Sequence, residues 1–173
     1  RAEGATLAGL AVVCQDQGRM EEALAFYEAA QAILHECADR MAEGIVLGNL
    51  ATLHNDVGRL AQARTAYDAA LAITREIGDR VGEGVTLGNL GKLLRDLGKF
   101  DEARVQYEAA LAVARDAGDR RTEGVALGGI GSCLVDLARP EQALVWLDAA
   151  LEVHRELGNR RFEGETQANR GDV

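Results

Sequence analysis

Proline is nearly missing from this chain, with Pro140 alone among 173 residues, and aromatic side chains supply only 4% of it. One proline beside twenty glycines does not suit a loop-rich protein. The three cysteines, Cys14, Cys37 and Cys133, are odd in number and lack CxxC spacing. Each falls in an apolar helical slot and reads as a small buried hydrophobe in a reducing, cytoplasmic compartment. No apolar run approaches the ~18 residues of a membrane span, and no signal-peptide pattern opens the sequence. Bases are the minority, 19 against 28 acids, leaving a net charge of −9. Such a surface argues against nucleic acid and anionic membrane as partners. Intrinsic disorder is excluded by an apolar content of 47% with strong periodicity.

What the chain has is a period. Gly78-Asp79-Arg80, Gly118-Asp119-Arg120 and Gly158-Asn159-Arg160 recur every 40 residues, with Ala38-Asp39-Arg40 as the first copy. Leu47-Gly48-Asn49-Leu50, Leu87-Gly88-Asn89-Leu90 and Leu127-Gly128-Gly129-Ile130 keep the same phase without an insertion. The units are 1–40, 41–80, 81–120 and 121–160, and 161–173 opens a fifth. Each reads as two helices of about 15 and 18 residues, roughly 22 and 27 Å long. In the third, Val85, Leu87, Leu90, Leu93, Leu94 and Leu97 mark the first helix; Phe100, Ala103, Tyr107, Ala110, Leu111 and Ala114 mark the second. Gly78, Gly118 and Gly158 stand where a helix ends in a left-handed residue, and Asp79, Asp119 and Asn159 follow as N-caps. Gly18, Gly58 and Gly98 end the first helices in the same way. Gly44, Gly48 and Ala51, like Gly84, Gly88 and Gly91, form a stripe at i, i+4 and i+7. A mid-helix glycine costs about 1 kcal/mol, so the stripe predicts another helix approaching closely there. Only Gly82 lies outside the recurring slots.

Catalysis has no foothold. His35, His54 and His154 occupy different slots and have no ligand-spaced partner for a metal. Cys14 and Cys133 align with apolar residues of other units, and the carboxylates are spread over solvated faces. No cofactor is expected. Asp16, Asp56, Asp96 and Asp136 form an acidic ladder whose members each have a base three residues on: Arg19, Arg59, Lys99 and Arg139. Either these pair locally or the ladder attracts a basic peptide. Arg40–Glu43, Arg80–Glu83, Arg120–Glu123 and Arg160–Glu163 read as fastenings between units.

The pattern resembles the tetratricopeptide repeat, whose signature is large-x2-Leu-Gly-x2-aromatic followed by Ala-x3-aromatic-x2-Ala. Leu87, Leu90, Gly91, Leu94, Ala103, Tyr107 and Ala110 stand at those offsets, and the other units agree in phase. The 40-residue Leu-Gly-Asn form is similar to spindle-orientation adaptors and bacterial signalling proteins, and arginine as 17 of the 19 bases fits a GC-rich bacterial genome. The resemblance implies an all-α, right-handed superhelix of antiparallel hairpins, an open arc with first helices on its concave face. It further implies a non-catalytic module that holds a peptide or protein segment there. The matching positions are Asn49 and Asn89, with Asn169 in the fifth unit. An amide offers both a donor and an acceptor to an extended peptide backbone. Neighbouring first helices lie about 10 Å apart, close to three extended residues at roughly 3.3 Å each. Equally, these asparagines could brace adjacent helices. Further along the face come Thr52, Asn55, Lys92, Arg95 and Ser132, with Lys92 and Arg95 as candidate receivers of a carboxylate. A structural spacer or oligomerisation element, or an array sensing an effector, are the other readings. The chain reads as part of a longer array with no polar capping helix, so that self-association through open ends is expected.

Overall fold

The computed structural model describes residues 2–171, and among these there are nine α-helices and no strand. First helices α1 (Ala2–Asp16), α3 (Arg40–Asp56), α5 (Arg80–Asp96) and α7 (Arg120–Asp136) alternate with second helices α2 (Met20–Glu36), α4 (Leu60–Glu76), α6 (Phe100–Ala117) and α8 (Pro140–Glu156). Helix α9 (Arg160–Gly171) is a fifth first helix. The helices of a pair are nearly equal in length, α3 and α4 having 17 residues each. Helices α3, α5 and α7 begin at the arginine directly after the capping aspartate, which is why they are longer than the apolar pattern predicts. Two compact units divide the chain, Arg1–Gly82 and Glu83–Val173.

In the first unit, α3 packs on α1 and α2 through Val46, Leu50 and Leu53. These join Ala11, Cys14, Leu24, Tyr27 and Leu34 in one buried cluster. Leu47 turns the other way, onto Ala70 and Ile73 of α4. In the second unit the same slots, Leu87, Leu90, Leu127 and Ile130, are all buried. Burying side chains of this size contributes about 1.5–3 kcal/mol each, so these joints hold the hairpins together.

The glycine stripe does only part of what its spacing predicts. A Cβ on Gly131 would lie 2.7 Å from Leu147 Cγ, and one on Gly124 would lie 2.7 Å from His154 Cε1. Second helices do approach the first at these ends. At Gly48 and Gly88, in the middle of the stripe, a Cβ would meet nothing within 4 Å. Those two face open space and brace no neighbour.

Turns follow the capping expectation. Asp39 accepts from the Ala42 N–H, Asp79 from Gly82 and Asp119 from Thr122. Gly82 also lies so near the cap that a Cβ would overlap the Asp79 carboxylate. The helix-ending glycines have φ between 62° at Gly158 and 76° at Gly58, but Ala38 and Ala138 hold the same turn at 51° and 54°. Two apolar expectations fail. Val85 and Leu97 are 45% and 42% exposed, because one lies off the packed faces of α5 and the other in its closing turn. Cys37 is exposed as well, because it caps α2 after the last buried position.

The ion pairs also differ from the local scheme. Arg19 binds Glu22, Arg59 reaches Glu21 on α2, and Lys99 binds Glu102. Bases in the turn therefore lean onto the second helices, where an acid lies in the first turn or on the neighbouring hairpin. Asp136 instead takes Arg95, and Asp96 takes Lys92. Fastenings by glutamate do form, with more partners than the sequence suggests. Glu123 is 8% exposed and accepts from Arg120 at 2.6 Å and from Arg115 of α6 at 3.0 Å. Arg120 continues to Glu156 on α8. In the first unit Glu43, 3% exposed, meets His35, while Arg40 joins Glu43 to Glu76. Glu163 takes Arg155 in place of Arg160.

Candidate functional site

In the second unit a groove of about 500 Å³ runs over the first helices. Its floor is α7, with Val125, Gly128, Gly129 and Ser132, and its walls are α5 and α9. Five of the eight residues singled out by sequence line it: Asn89, Lys92, Arg95, Ser132 and Asn169. They come together because successive first helices share the 40-residue register, which turns one face of α5, α7 and α9 to a common opening. Asn49, Thr52 and Asn55 belong to α3 in the first unit. Asn49 is exposed and Asn55 half-buried there. Thr52 donates to the Gly48 carbonyl at 3.0 Å and meets the Tyr67 hydroxyl at the same distance, so it is braced within the hairpin.

Asparagine does not continue through the middle of the groove. At Gly129 a Cβ would come within 2.5 Å of Tyr107 Cε1. The tyrosine ring, 5% exposed, occupies the space an Asn side chain would need. Burial raises the Tyr107 hydroxyl well above its ordinary pKa, so it stays protonated. Beyond Gly129, the Asn169 amide donates to Ser132 Oγ at 2.8 Å, and Ser132 donates to the Gly128 carbonyl at 2.9 Å. The asparagine thus does brace a neighbouring helix, and the bracing fixes its direction at the groove.

The two bases expected to await a carboxylate already have one. Lys92 Nζ is 2.9 Å from Asp96, and Arg95 Nε is 2.5 Å from Asp136. Burial alone would lower the Arg95 pKa, but the bond to Asp136 outweighs it and the guanidinium ends above its ordinary value. Beside this pair the Cys133 thiol is pushed up to about 11 by burial, which leaves it an inert core group.

Sequence reasoning missed the apolar part of the groove. Phe162 stacks on His154 with centroids 5.4 Å apart, and both line the groove with Val125 and Tyr107. Val125 stands 40 residues after the exposed Val85, so its slot carried the signal. Phe162 occupies a slot held elsewhere by Ala42, Gly82 and Thr122, and no pattern pointed to it. His154 is 1% exposed and its Nδ1 has no hydrogen-bond partner; burial lowers its pKa, as it does that of His54. Among the described residues no three His, Cys, Asp or Glu side chains gather as a metal site requires. No helix among them is long and apolar enough to cross a membrane.

Comparison with known proteins bears on this architecture. Residues 43–116 match one tetratricopeptide-repeat family model and residues 6–41 another. No curated protein matches the chain. Among solved structures, BtubC from P. vanneervenii superposes with a TM-score of 0.81 at 22% identity, covering 90% of this chain and 65% of its own. Aspartyl phosphate phosphatase F from Bacillus subtilis gives 0.90 at 14% identity, covering 96% of this chain and 44% of its own. A putative kinesin light chain repeat protein from Podosopora anserina gives 0.73 at 14%, covering 96% and 86%. The chain therefore spans under two thirds of the length of the first two. At these identities the likeness concerns the fold, a tandem helical repeat of the solenoid type. Over residues 6–41 and 43–116 the chain therefore carries tetratricopeptide repeats, and the helices that follow pair in the same hairpins.

Proposed function

We propose that this chain is a non-catalytic protein-interaction module, and that the groove over α5, α7 and α9 holds an extended peptide segment. The observation that carries the reading is the convergence of Asn89, Ser132 and Asn169 on one open cavity of about 500 Å³. That volume lies within the range of ligand-binding clefts, and amides at its rim suit a peptide backbone. The 40-residue Leu-Gly-Asn form, a bacterial origin and a place within a larger cytoplasmic signalling or regulatory protein belong to this reading.

The test uses peptides selected from a random library displayed on phage and panned against the chain. Replacing Asn89 or Asn169 with alanine is expected to weaken selected peptides about 2–13-fold each, the worth of one net hydrogen bond. Gly88→Met should abolish binding by filling the groove, since Gly88 lines it and a Cβ there meets nothing within 4 Å. Its helix propensity should meanwhile raise stability by about 1 kcal/mol. Peptides that bind Gly88→Met as well as the parent chain would reject the reading.

A second reading, self-association, is favoured by α1. Leu10 and Val13 are 43% and 49% exposed, whereas Leu50 and Leu53 in the same slots of α3 are 7% and 0% exposed. On α9 the slot of Leu10 is polar, and Arg170 there pairs with Asp148. Association would therefore run through α1. Light scattering of Leu10→Glu against the parent chain checks this: a concentration-dependent mass that the variant abolishes supports it, and a constant monomer mass in both rejects it.

A further inference from the structure

We propose that the groove of the second unit selects peptide segments whose groove-facing side chains are uncharged, with one apolar side chain seated against Val125 and Phe162. The inference rests on the peptide-binding reading and adds the class of peptide. Each base at the groove is matched by an acid of the chain itself. Lys92 is paired with Asp96, Arg95 with Asp136, and Arg161 Nε lies 3.1 Å from Glu165. An incoming carboxylate would have to displace one of these acids, exchanging one ion pair for another. An incoming ammonium would meet Lys92, Arg95 and Arg161 with their acids already engaged. Either charge would also lose water over a floor that has little to offer it.

That floor is carbon and backbone apart from the Ser132 hydroxyl, which is engaged by the Gly128 carbonyl and the Asn169 amide. Gly88 opens directly onto it, Gly128 has Thr166 Oγ1 at 3.6 Å from where a Cβ would be, and Gly129 leaves the Tyr107 ring beneath. Val125 and Phe162 supply the apolar wall. The amides of Asn89 and Asn169 remain as hydrogen-bonding groups suited to a peptide backbone, and the Asn169 amide is oriented by Ser132. Charge elsewhere agrees. The second helices α2, α4, α6 and α8 hold fourteen acids and five bases, which accounts for the whole −9 of the chain. With Asp136 counted beside Arg95, three bases and three acids balance at the groove, which leaves no field of one sign to draw in a charged ligand.

Peptides panned from a random phage library, synthesised with fluorescein, test this by anisotropy on the parent chain and on Gly88→Met. The expected result is selection of sequences with an uncharged core and an apolar residue. Their affinity should change less than about twofold between roughly 50 and 500 mM salt, because no ion pair forms across the groove. Exchange of a core residue for Asp or for Lys should weaken binding about tenfold or more. Selected peptides with a charged core, salt-sensitive and lost on Gly88→Met, would overturn the neutrality while leaving the groove as the peptide site. Peptides indifferent to Gly88→Met, or no selected peptide at all, would overturn the site reading and this inference with it.

Discussion

Ala38 and Ala138 hold a left-handed turn that glycine fills at six other positions. A side chain with a Cβ is disfavoured there by roughly 1–2 kcal/mol, and glycine recovers part of this after its own larger loss of chain entropy. Ala38→Gly and Ala138→Gly are each expected to stabilise their unit by about 0.5–1 kcal/mol, seen as a higher midpoint in urea melts. His54 makes a second prediction. Burial, with a smaller contribution from Arg59, lowers its pKa below the unfolded value of about 6.5. The unfolded chain then binds the proton more readily. Stability is complete above that pH and is lost as pH falls through the lowered folded value. The leucines at Leu94 and Leu134 occupy the same slot, so His54→Leu should flatten the decline in stability below about pH 6.5. A slope unchanged in the variant would show that His54 is not its source.

Between helices, the repeated glutamate fastening is the device with most at stake. Glu123 is held by Arg115 from α6 and by Arg120, which continues to Glu156 on α8. Burial pushes its carboxyl up, but the two arginines outweigh it and hold it below the usual carboxylate range. Because the folded pKa lies below the unfolded one, its contribution is present above about pH 4.3 and is lost as pH drops through the folded value. Glu123→Gln should cost about 1.5–3 kcal/mol at neutral pH, the worth of hydrogen bonds to a charged group, and that difference should shrink in acid. Urea melts at neutral and acid pH measure it. The i,i+3 half of this fastening was legible, since Arg120 and Glu123 lie one turn apart. Arg115 and Glu156 were not, because their partners are set by how hairpins stack. The acidic ladder misled for the same reason: Asp136 finds Arg95 from the preceding first helix, 41 residues away, and local spacing cannot register that.

For the whole molecule, the 40-residue period disclosed the helices, their order and their caps, since each depends on short-range spacing repeated in phase. It also disclosed the face on which Asn89, Lys92, Arg95, Ser132 and Asn169 meet. The break at Gly129 was legible as a glycine in the asparagine slot, but its cause, the Tyr107 ring lying there, was not, nor was the apolar wall at Phe162, which no other unit shares. Nor could spacing show that Lys92 and Arg95 have carboxylate partners of their own. The central claim is that a peptide is held over α5, α7 and α9, and amide chemical-shift mapping of the 15N-labelled chain with a library-selected peptide tests it directly. The account predicts the largest shifts at Gly88, Asn89, Gly128, Gly129 and Asn169. Shifts gathered instead on the second helices α6 and α8, with those five amides unmoved, would contradict it.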